Sequence, residues 1–357
     1  MRLTKNEILY LLPLLLISFV KGIGISSDNK VYVAVLLFGT VLIVMKSVKE
    51  RWTRNEFIGL AALFLIGVLS LLMTKKETVL FSLLLVVGSK GIRLNKIFWT
   101  MLISRLVGFF YNVLLSVVGI LPAKQAIFYR EGVFISRYSF GFGHPNLFHS
   151  SFFMIVVLWL FLKFERLKLI EVFFLMICNF LIFSYSYSRT GFYMICLLFV
   201  GYYALQWKPV LKLLKIVVPY VQFFLLGLTL VLARLLGKSV IVQQLDIFLT
   251  GRLYYTHLQF QYPLTLFGRN YDGTGILFDN SYSMIVMLYG VILAIIVSLA
   301  YYKTARFTAN YGSLATNFVL VMISLLLFTE SFYMNTLFNI TLFIIAKYYF
   351  RELDDLQ

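Results

Sequence analysis

Charge is what this sequence has least of. Of 357 residues only 13% are Asp, Glu, Lys or Arg, where a soluble globular protein carries about a quarter. That scarcity excludes a soluble enzyme, a disordered tail and a nucleic-acid-binding domain. There are two cysteines, Cys178 and Cys196, both inside apolar runs. They read as buried small hydrophobes, not as a disulfide or metal pair, and leave the redox compartment unmarked. Histidine is confined to His144, His149 and His257. No compact Asp/Glu/His metal cluster is present, and there is neither an internal repeat nor a low-complexity stretch.

What fills the chain instead is apolar. Hydrophobic residues make up 61%, the mean hydropathy is +0.89, and the apolar residues fall in long blocks, as membrane spans do. Twelve such runs lie between 8–20 and 331–348. At roughly 20 residues per span they use about 240 residues and leave no room for a separate soluble catalytic domain. The expectation is therefore an all-α integral membrane protein with about 12 transmembrane helices (11–13), residues 1–357 forming one polytopic domain. Any chemistry then belongs to loops and span ends. The run at 78–89 is short and could be re-entrant. The first run follows Arg2 and Lys5 like a signal-peptide core, but Lys21 interrupts it, and it reads as a retained span.

The net charge is +17. In a membrane protein its anionic partner is lipid headgroups or a phosphate-bearing substrate. With the N-terminus in the cytoplasm, 19 of the 32 Lys and Arg fall on short inner segments and 12 on the outer side, with Arg105 inside a span. This bias predicts cytoplasmic N- and C-termini. Two long connections, about 122–146 and about 237–281, then lie outside, and long ordered loops are usually functional.

Three clusters in or beside those loops can carry chemistry. The first is Gly141-Phe142-Gly143-His144-Pro145-Asn146-Leu147-Phe148-His149. Asn146 reads as the N-cap of the next span with Pro145 beside it; the two histidines and the Gly-aromatic-Gly turn are left over, and a boundary His can carry a proton. The second is Ser184-Tyr185-Ser186-Tyr187-Ser188-Arg189-Thr190-Gly191. It fits a snorkelling interfacial Arg with aromatic neighbours, or a tight hydroxyl-lined rim for phosphate. The third spans 239–282. Residues 239–262 have helical spacing, with Arg252, Thr256 and Gln259 as a polar stripe; the bland version is an amphipathic helix on the outer leaflet with Arg252 on lipid phosphate. Gly268 to Gly275 reads as a flexible turn holding Arg269. Asp279-Asn280-Ser281-Tyr282 opens the next span, with Asp279 or Asn280 as its cap. Arg105, with Asn112 seven positions on, marks a functional site or a buried pair by its depth. Glu330 lies near the outer end of the eleventh run.

At these residues the chain resembles the O-antigen ligase and Wzy-type polymerase superfamily. The likeness rests on Gly251-Arg252, Pro263, Gly268, Asp279-Asn280-Ser281-Tyr282 and Leu288-Tyr289-Gly290. Phe142-Gly143-His144-Pro145-Asn146 with His149, and Ser188-Arg189-Thr190-Gly191, look like motifs of Gram-positive capsule and exopolysaccharide polymerases. The resemblance covers about residues 135–295 by motif. It implies a GT-C-type glycosyltransferase of the bacterial cytoplasmic membrane, acting without a metal or other cofactor on a polyprenyl-diphosphate-linked oligosaccharide at the outer face. A flippase and a chain-length regulator would be its partners. Family ligases carry a His where Asp279 stands here.

The expected chemistry is attack of a hydroxyl on an anomeric carbon with diphosphate as leaving group. Arg189 and Arg252 are the expected diphosphate cations, with Arg105 and Arg269 behind them. Asp279 is the first choice of base and His144 the second. Asn146, His149, Ser188, Tyr255, His257, Asn280 and Tyr282 are expected to support the site or bind glycan. A ligase with a different acceptor is the near rival. A flippase or transporter of the same lipid-linked glycan is the rival from another class.

Overall fold

A computed structural model describes residues 3–23, 29–123, 125–130 and 133–356, without the side chains of Tyr129 and Arg130. Arg2, Lys124 and the side chain of Arg130, which enter the charge tally above, thus lie outside the described residues. In chain order the first elements are α1 (Lys5–Gly22), α2 (Lys30–Val48), α3 (Arg54–Thr74), α4 (Thr78–Gly88) and α5 (Leu94–Val117). Strands β1 (Gln125–Arg130) and β2 (Val133–Tyr138) follow, then α6 (Pro145–Lys163), α7 (Leu169–Ser186), α8 (Arg189–Ala204) and α9 (Lys208–Val217). The last are α10 (Val221–Leu235), α11 (Val240–Phe248), α12 (Arg252–Gln259), α13 (Ser281–Met287), α14 (Val291–Tyr311), α15 (Leu314–Thr329) and α16 (Thr341–Tyr349).

The protein is a helical membrane protein. Among the described residues six helices are long and apolar enough to cross a bilayer, or up to eight if two bent helix pairs each count as one span. The short run at 78–89 becomes α4, whose 11 residues cover roughly 16 Å, about half a hydrocarbon core. The expected all-α fold gains one small sheet: β1 and β2 pair antiparallel, from Gln125 opposite Tyr138 to Arg130 opposite Val133. Helix starts follow local chemistry. Thr4 with Glu7 and Thr53 with Glu56 form capping boxes, each stabilising its helix by about 1 kcal/mol.

The chain divides into two compact units, residues 1–49 with 91–207 and residues 50–90 with 208–357. In the first unit α6 is central and packs against α5, α7 and α8. It is apolar all round and so is buried all round; Phe153, Met154, Val156, Val157, Leu158 and Leu160 have no exposed surface. In the second unit α10 and α15 form the centre, with α12, α13 and α14 around them and α16 joining the α3–α4 hairpin.

Three breaks in the second unit depart from the sequence pattern. The run at 282–301 is two helices, because the segment Thr265–Arg269 crosses the break and takes its hydrogen bonds. Val291 N–H donates to Thr265 O at 3.0 Å, Ile292 N–H to Leu266 O at 3.2 Å and Arg269 N–H to Leu288 O at 3.1 Å. Gly290, at φ 97°, leaves the room a side chain would fill, as does Gly268 at φ 93° against the Leu288 carbonyl. Gly268 is therefore a close-packing residue and not part of a flexible turn. The run at 331–348 is helical only from Thr341; residues 330–340 are irregular yet largely buried, and Asn339 Nδ2 satisfies Tyr333 O at 2.7 Å. The expected single helix over 239–262 is α11 and α12, broken where Thr250 and Gly251 take positive φ.

The two ends of the second unit are marked by different contacts. Tyr349 Oη donates to Glu56 O at 3.2 Å, Lys347 Nζ to Ser89 O at 2.9 Å and Ser313 N–H to Leu356 O at 2.8 Å. Arg51, Arg54, Lys90, Lys347 and Arg351 belong to this end, as do Glu56, which pairs with Lys90, and Glu352 and Asp355, which pair with Lys347. From Ser313, α15 runs to Glu330 at the opposite end, where the long 237–281 connection lies. There Lys76 pairs with Asp272 at 2.8 Å and holds its carboxyl below the usual carboxylate range, although both side chains are exposed and the pair contributes little.

Candidate functional site

At the loop end of the second unit four segments meet around Arg252. The side chain opens α12, whose N-terminus is capped by Asp246: its Oδ1 accepts from Leu253 N–H at 2.8 Å and Tyr254 N–H at 3.2 Å. Arg252 Nη2 donates to Glu330 Oε1 at 3.1 Å and Nη1 to the Asp279 carbonyl at 3.3 Å. Arg252 and Glu330 are only 8% and 9% exposed, so this ion pair is largely removed from solvent and is not a lipid-headgroup contact. Thr256 and Gln259 share its buried face. The stripe read from helical spacing therefore exists, but it points into the protein and not along a leaflet.

The motif Asp279-Asn280-Ser281-Tyr282 acts as a clamp. Asn280 caps α13 by accepting from Tyr282 N–H at 2.8 Å and Ser283 N–H at 3.0 Å. Its Nδ2 donates to Phe328 O at 2.7 Å and Thr229 Oγ1 at 3.3 Å, fastening α13 to α15 and α10. Ser281 Oγ donates to the Glu330 carbonyl and accepts from Phe332 N–H at 2.8 Å. Tyr282 is buried and donates to Ser324 O at 2.9 Å, so it supports the frame and presents nothing at a surface. The half-buried Asp279 carboxylate makes no hydrogen bond or ion pair with another described residue.

The neighbouring expected residues are placed as follows. His257 Nδ1 lies 2.8 Å from Ala233 O, tying α12 to the end of α10. Tyr255 touches the ring of Tyr254. The Arg269 guanidinium lies 5.9 Å from the centre of the Tyr262 ring, which meets Tyr271 edge-on, as Tyr271 meets Phe278. Burial raises the pKa of the Tyr271 hydroxyl.

In the first unit the other two clusters converge. His144 and not Asn146 caps α6, its Nδ1 accepting from Asn146 N–H at 3.1 Å. A ring nitrogen reaches the free N–H as a side-chain oxygen would, and this leaves the Asn146 side chain to accept from Arg137 Nη2. Arg137 Nε also donates to Ser186 O at 2.7 Å, and the guanidinium lies over Phe128. His149 is fully buried. Asn179 Nδ2 donates to Phe192 O at 3.3 Å, so Asn179 Oδ1 faces His149 Nε2, at 2.8 Å, and accepts a hydrogen bond from its N–H. Nδ1 then accepts from Ser186 Oγ at 3.2 Å, and Ser186 Oγ accepts from Ser188 N–H at 3.3 Å. Tyr187, in the left-handed region, and Ser188 turn the chain from α7 into α8 at Arg189. Gly191 is needed here because a Cβ would come within 2.5 Å of the His149 ring. Gly191→Ala is expected to lower stability by about 1–3 kcal/mol through overpacking, read as a lower melting temperature in detergent.

Arg105 is buried on the face of α5 that also carries Asn112 and Ser116. Neither the Asn112 carboxamide nor the Ser116 hydroxyl has a hydrogen-bond partner among the described residues. Arg189 and Arg252, expected to serve one diphosphate, belong to different units, and each is described within its own. Three participants were not singled out in the sequence as site residues: Arg137, Asn179 and Glu330. Glu330 had a signal, an acidic residue at the end of an apolar run; Asn179 stands inside a continuous apolar run and Arg137 among ordinary loop charges. No protein-family model matches the chain, and no curated protein or solved structure is significantly similar to it.

Proposed function

We propose that this chain is a membrane glycosyltransferase that joins polyprenyl-diphosphate-linked oligosaccharide units, with its chemistry at the loop end of the second unit. The observation that carries the reading is Arg252: a largely buried guanidinium, fixed by Glu330 and by the main-chain carbonyl of Asp279, whose own carboxylate has no partner among the described residues. A guanidinium has five N–H donors in a rigid fork, and two of its groups are used for positioning. The rest can meet a diphosphate oxygen, which this fork fits in geometry and charge. Glu330 offsets part of the charge, and Arg269 in the same connection supplies a further cation.

The reaction follows from those positions. An acceptor hydroxyl attacks the anomeric carbon of the donor glycan. The new C–O bond forms as the bond from that carbon to diphosphate breaks. Asp279 takes the hydroxyl proton, and the negative charge leaves with the diphosphate toward Arg252. The reading takes its orientation from the positive-inside bias of the whole sequence, which predicts the Arg252 end outside. In this reading the family's twelve-span GT-C arrangement includes the short and broken helices, and the enzyme builds capsule or exopolysaccharide. A ligase would use the same chemistry with another acceptor.

A transport reading draws on a different observation. The α13–α14 break and the buried irregular segment 330–340 are non-helical backbone inside a helical membrane protein. Such backbone occurs where it is enclosed by protein or lines a cavity, as in transporters. Deleting the gene separates the readings. Polymerisation predicts accumulation of single lipid-linked units on the outer leaflet; transport predicts the same units trapped on the inner leaflet.

A further inference from the structure

Helix α9 has three faces. At 100° per residue, Lys208, Lys212 and Lys215 fall within an arc of about 60°. Leu214 is buried on a second face, where α9 packs against α14 and α15. On the third, Leu213 and Ile216 are 57% and 65% exposed. There is no acidic residue between Lys208 and Tyr220. A helix seated on its own unit along one edge, with an apolar side and a lysine side both open, has the pattern of an element at a membrane–water boundary.

Its position gives a second, independent sign of that boundary. Just after α9, Tyr220 and Phe223 meet the ring of Tyr302, at 5.7 and 6.0 Å between centres. On α14 the residues from Val291 to Tyr302 carry no charge, and Lys303 and Arg306 follow at once. The polarity of α14 changes where the chain leaves α9. Tyrosine, amphipathic itself, is enriched at that depth.

We propose that α9 lies along the leaflet surface at this end of the second unit, with Lys208, Lys212 and Lys215 binding the headgroups of anionic phospholipid. Leu213 and Ile216 enter the acyl boundary beside them. Charge complementarity selects the occupant: three ammonium groups on one stripe, without a carboxylate among them, fit a sheet of lipid phosphates. The proposal stands apart from the glycosyltransferase reading and would hold equally for a transporter.

The test uses the full chain in bilayer nanodiscs of phosphatidylcholine, with and without one quarter phosphatidylglycerol, followed by hydrogen–deuterium exchange. Phosphatidylglycerol is expected to slow exchange over 208–217 about tenfold, the scale of one or two basic side chains at an anionic surface. Exchange in α15 should not change. The protection should vanish near 1 M salt, where screening reaches about 3 Å. It should be lost in K208Q/K212Q/K215Q and kept in K208R/K212R/K215R. Equal exchange in the two lipids, or protection surviving in the glutamine variant, would overturn the proposal. So would protection reproduced by millimolar inorganic phosphate in pure phosphatidylcholine, which would mark a free-anion site. If the glutamine variant does not fold, the lipid and salt responses of the wild-type protein decide alone.

Discussion

Arg252→Ala is expected to abolish glycan transfer, with a loss of about 10²–10³-fold from removal of one positioned charge donor. The same change removes Arg252 from its largely buried ion pair with Glu330, and breaking a buried pair costs about 3–5 kcal/mol. Low activity could then reflect low abundance. Arg252→Ala with Glu330→Gln separates the two effects. The double variant removes both charges, so most of the stability should return while transfer stays lost. Glu330→Gln alone keeps the guanidinium but loosens its hold, and should reduce transfer less than Arg252→Ala does. Arg252→Lys should recover little, because an ammonium cannot bond Glu330, the Asp279 carbonyl and a phosphate oxygen from one rigid plane. Melting temperature and product yield, measured on the same purified samples, check the series. Activity in the double variant near the wild-type level would remove Arg252 from the chemistry.

Gly290→Ala is expected to be the most damaging small substitution. Its φ of 97° with ψ of 160° lies in a region open almost only to glycine, at a cost of about 1–3 kcal/mol for other residues. A methyl group there would also meet backbone, with Leu266 C at 2.7 Å, and backbone cannot rotate away as a side-chain tip can. Strain and overpacking together put the loss at about 3 kcal/mol or more. The Thr265–Arg269 segment would lift from the α13–α14 break, and with it the clamp next to Arg252. Both melting temperature and transfer should fall. Gly227 in α10 has nothing within 4 Å of its Cβ position, so Gly227→Ala should leave both unchanged.

Features set by neighbours in sequence were the legible ones. The stripe Arg252, Thr256 and Gln259 needed only helical spacing, the cap at Asn280 only its chemistry, and the turn at Ser188 only two spans a few residues apart. The helix breaks were hidden for a physical reason. Leu288 and Tyr289 are apolar enough to continue a span, and only backbone from elsewhere, Thr265 to Arg269, makes that break favourable; the residues of 331–340 are held instead by side chains such as Ser281 and Asn339. The same distance effect hid the partners. Arg252 and Glu330 are 78 positions apart, and Arg137 reaches Ser186 across 49 by way of a hairpin that loop composition did not announce. His144 took the cap assigned to Asn146 because Arg137 claims the asparagine. The membrane class came from composition alone, since 61% apolar content cannot be hidden in a soluble core of this length.

The central claim is that Arg252 and Asp279 make and break a glycosidic bond at the outer end of the second unit. Purified protein in nanodiscs, given one polyprenyl-diphosphate-linked repeat unit and no other acceptor, tests it directly. The wild-type protein should yield a ladder of lengthened glycans and release polyprenyl diphosphate in step, while the Arg252→Ala, Glu330→Gln double variant and Asp279→Asn should yield neither. Substrate recovered intact, or moved across a liposome membrane with no new bond, would contradict the claim.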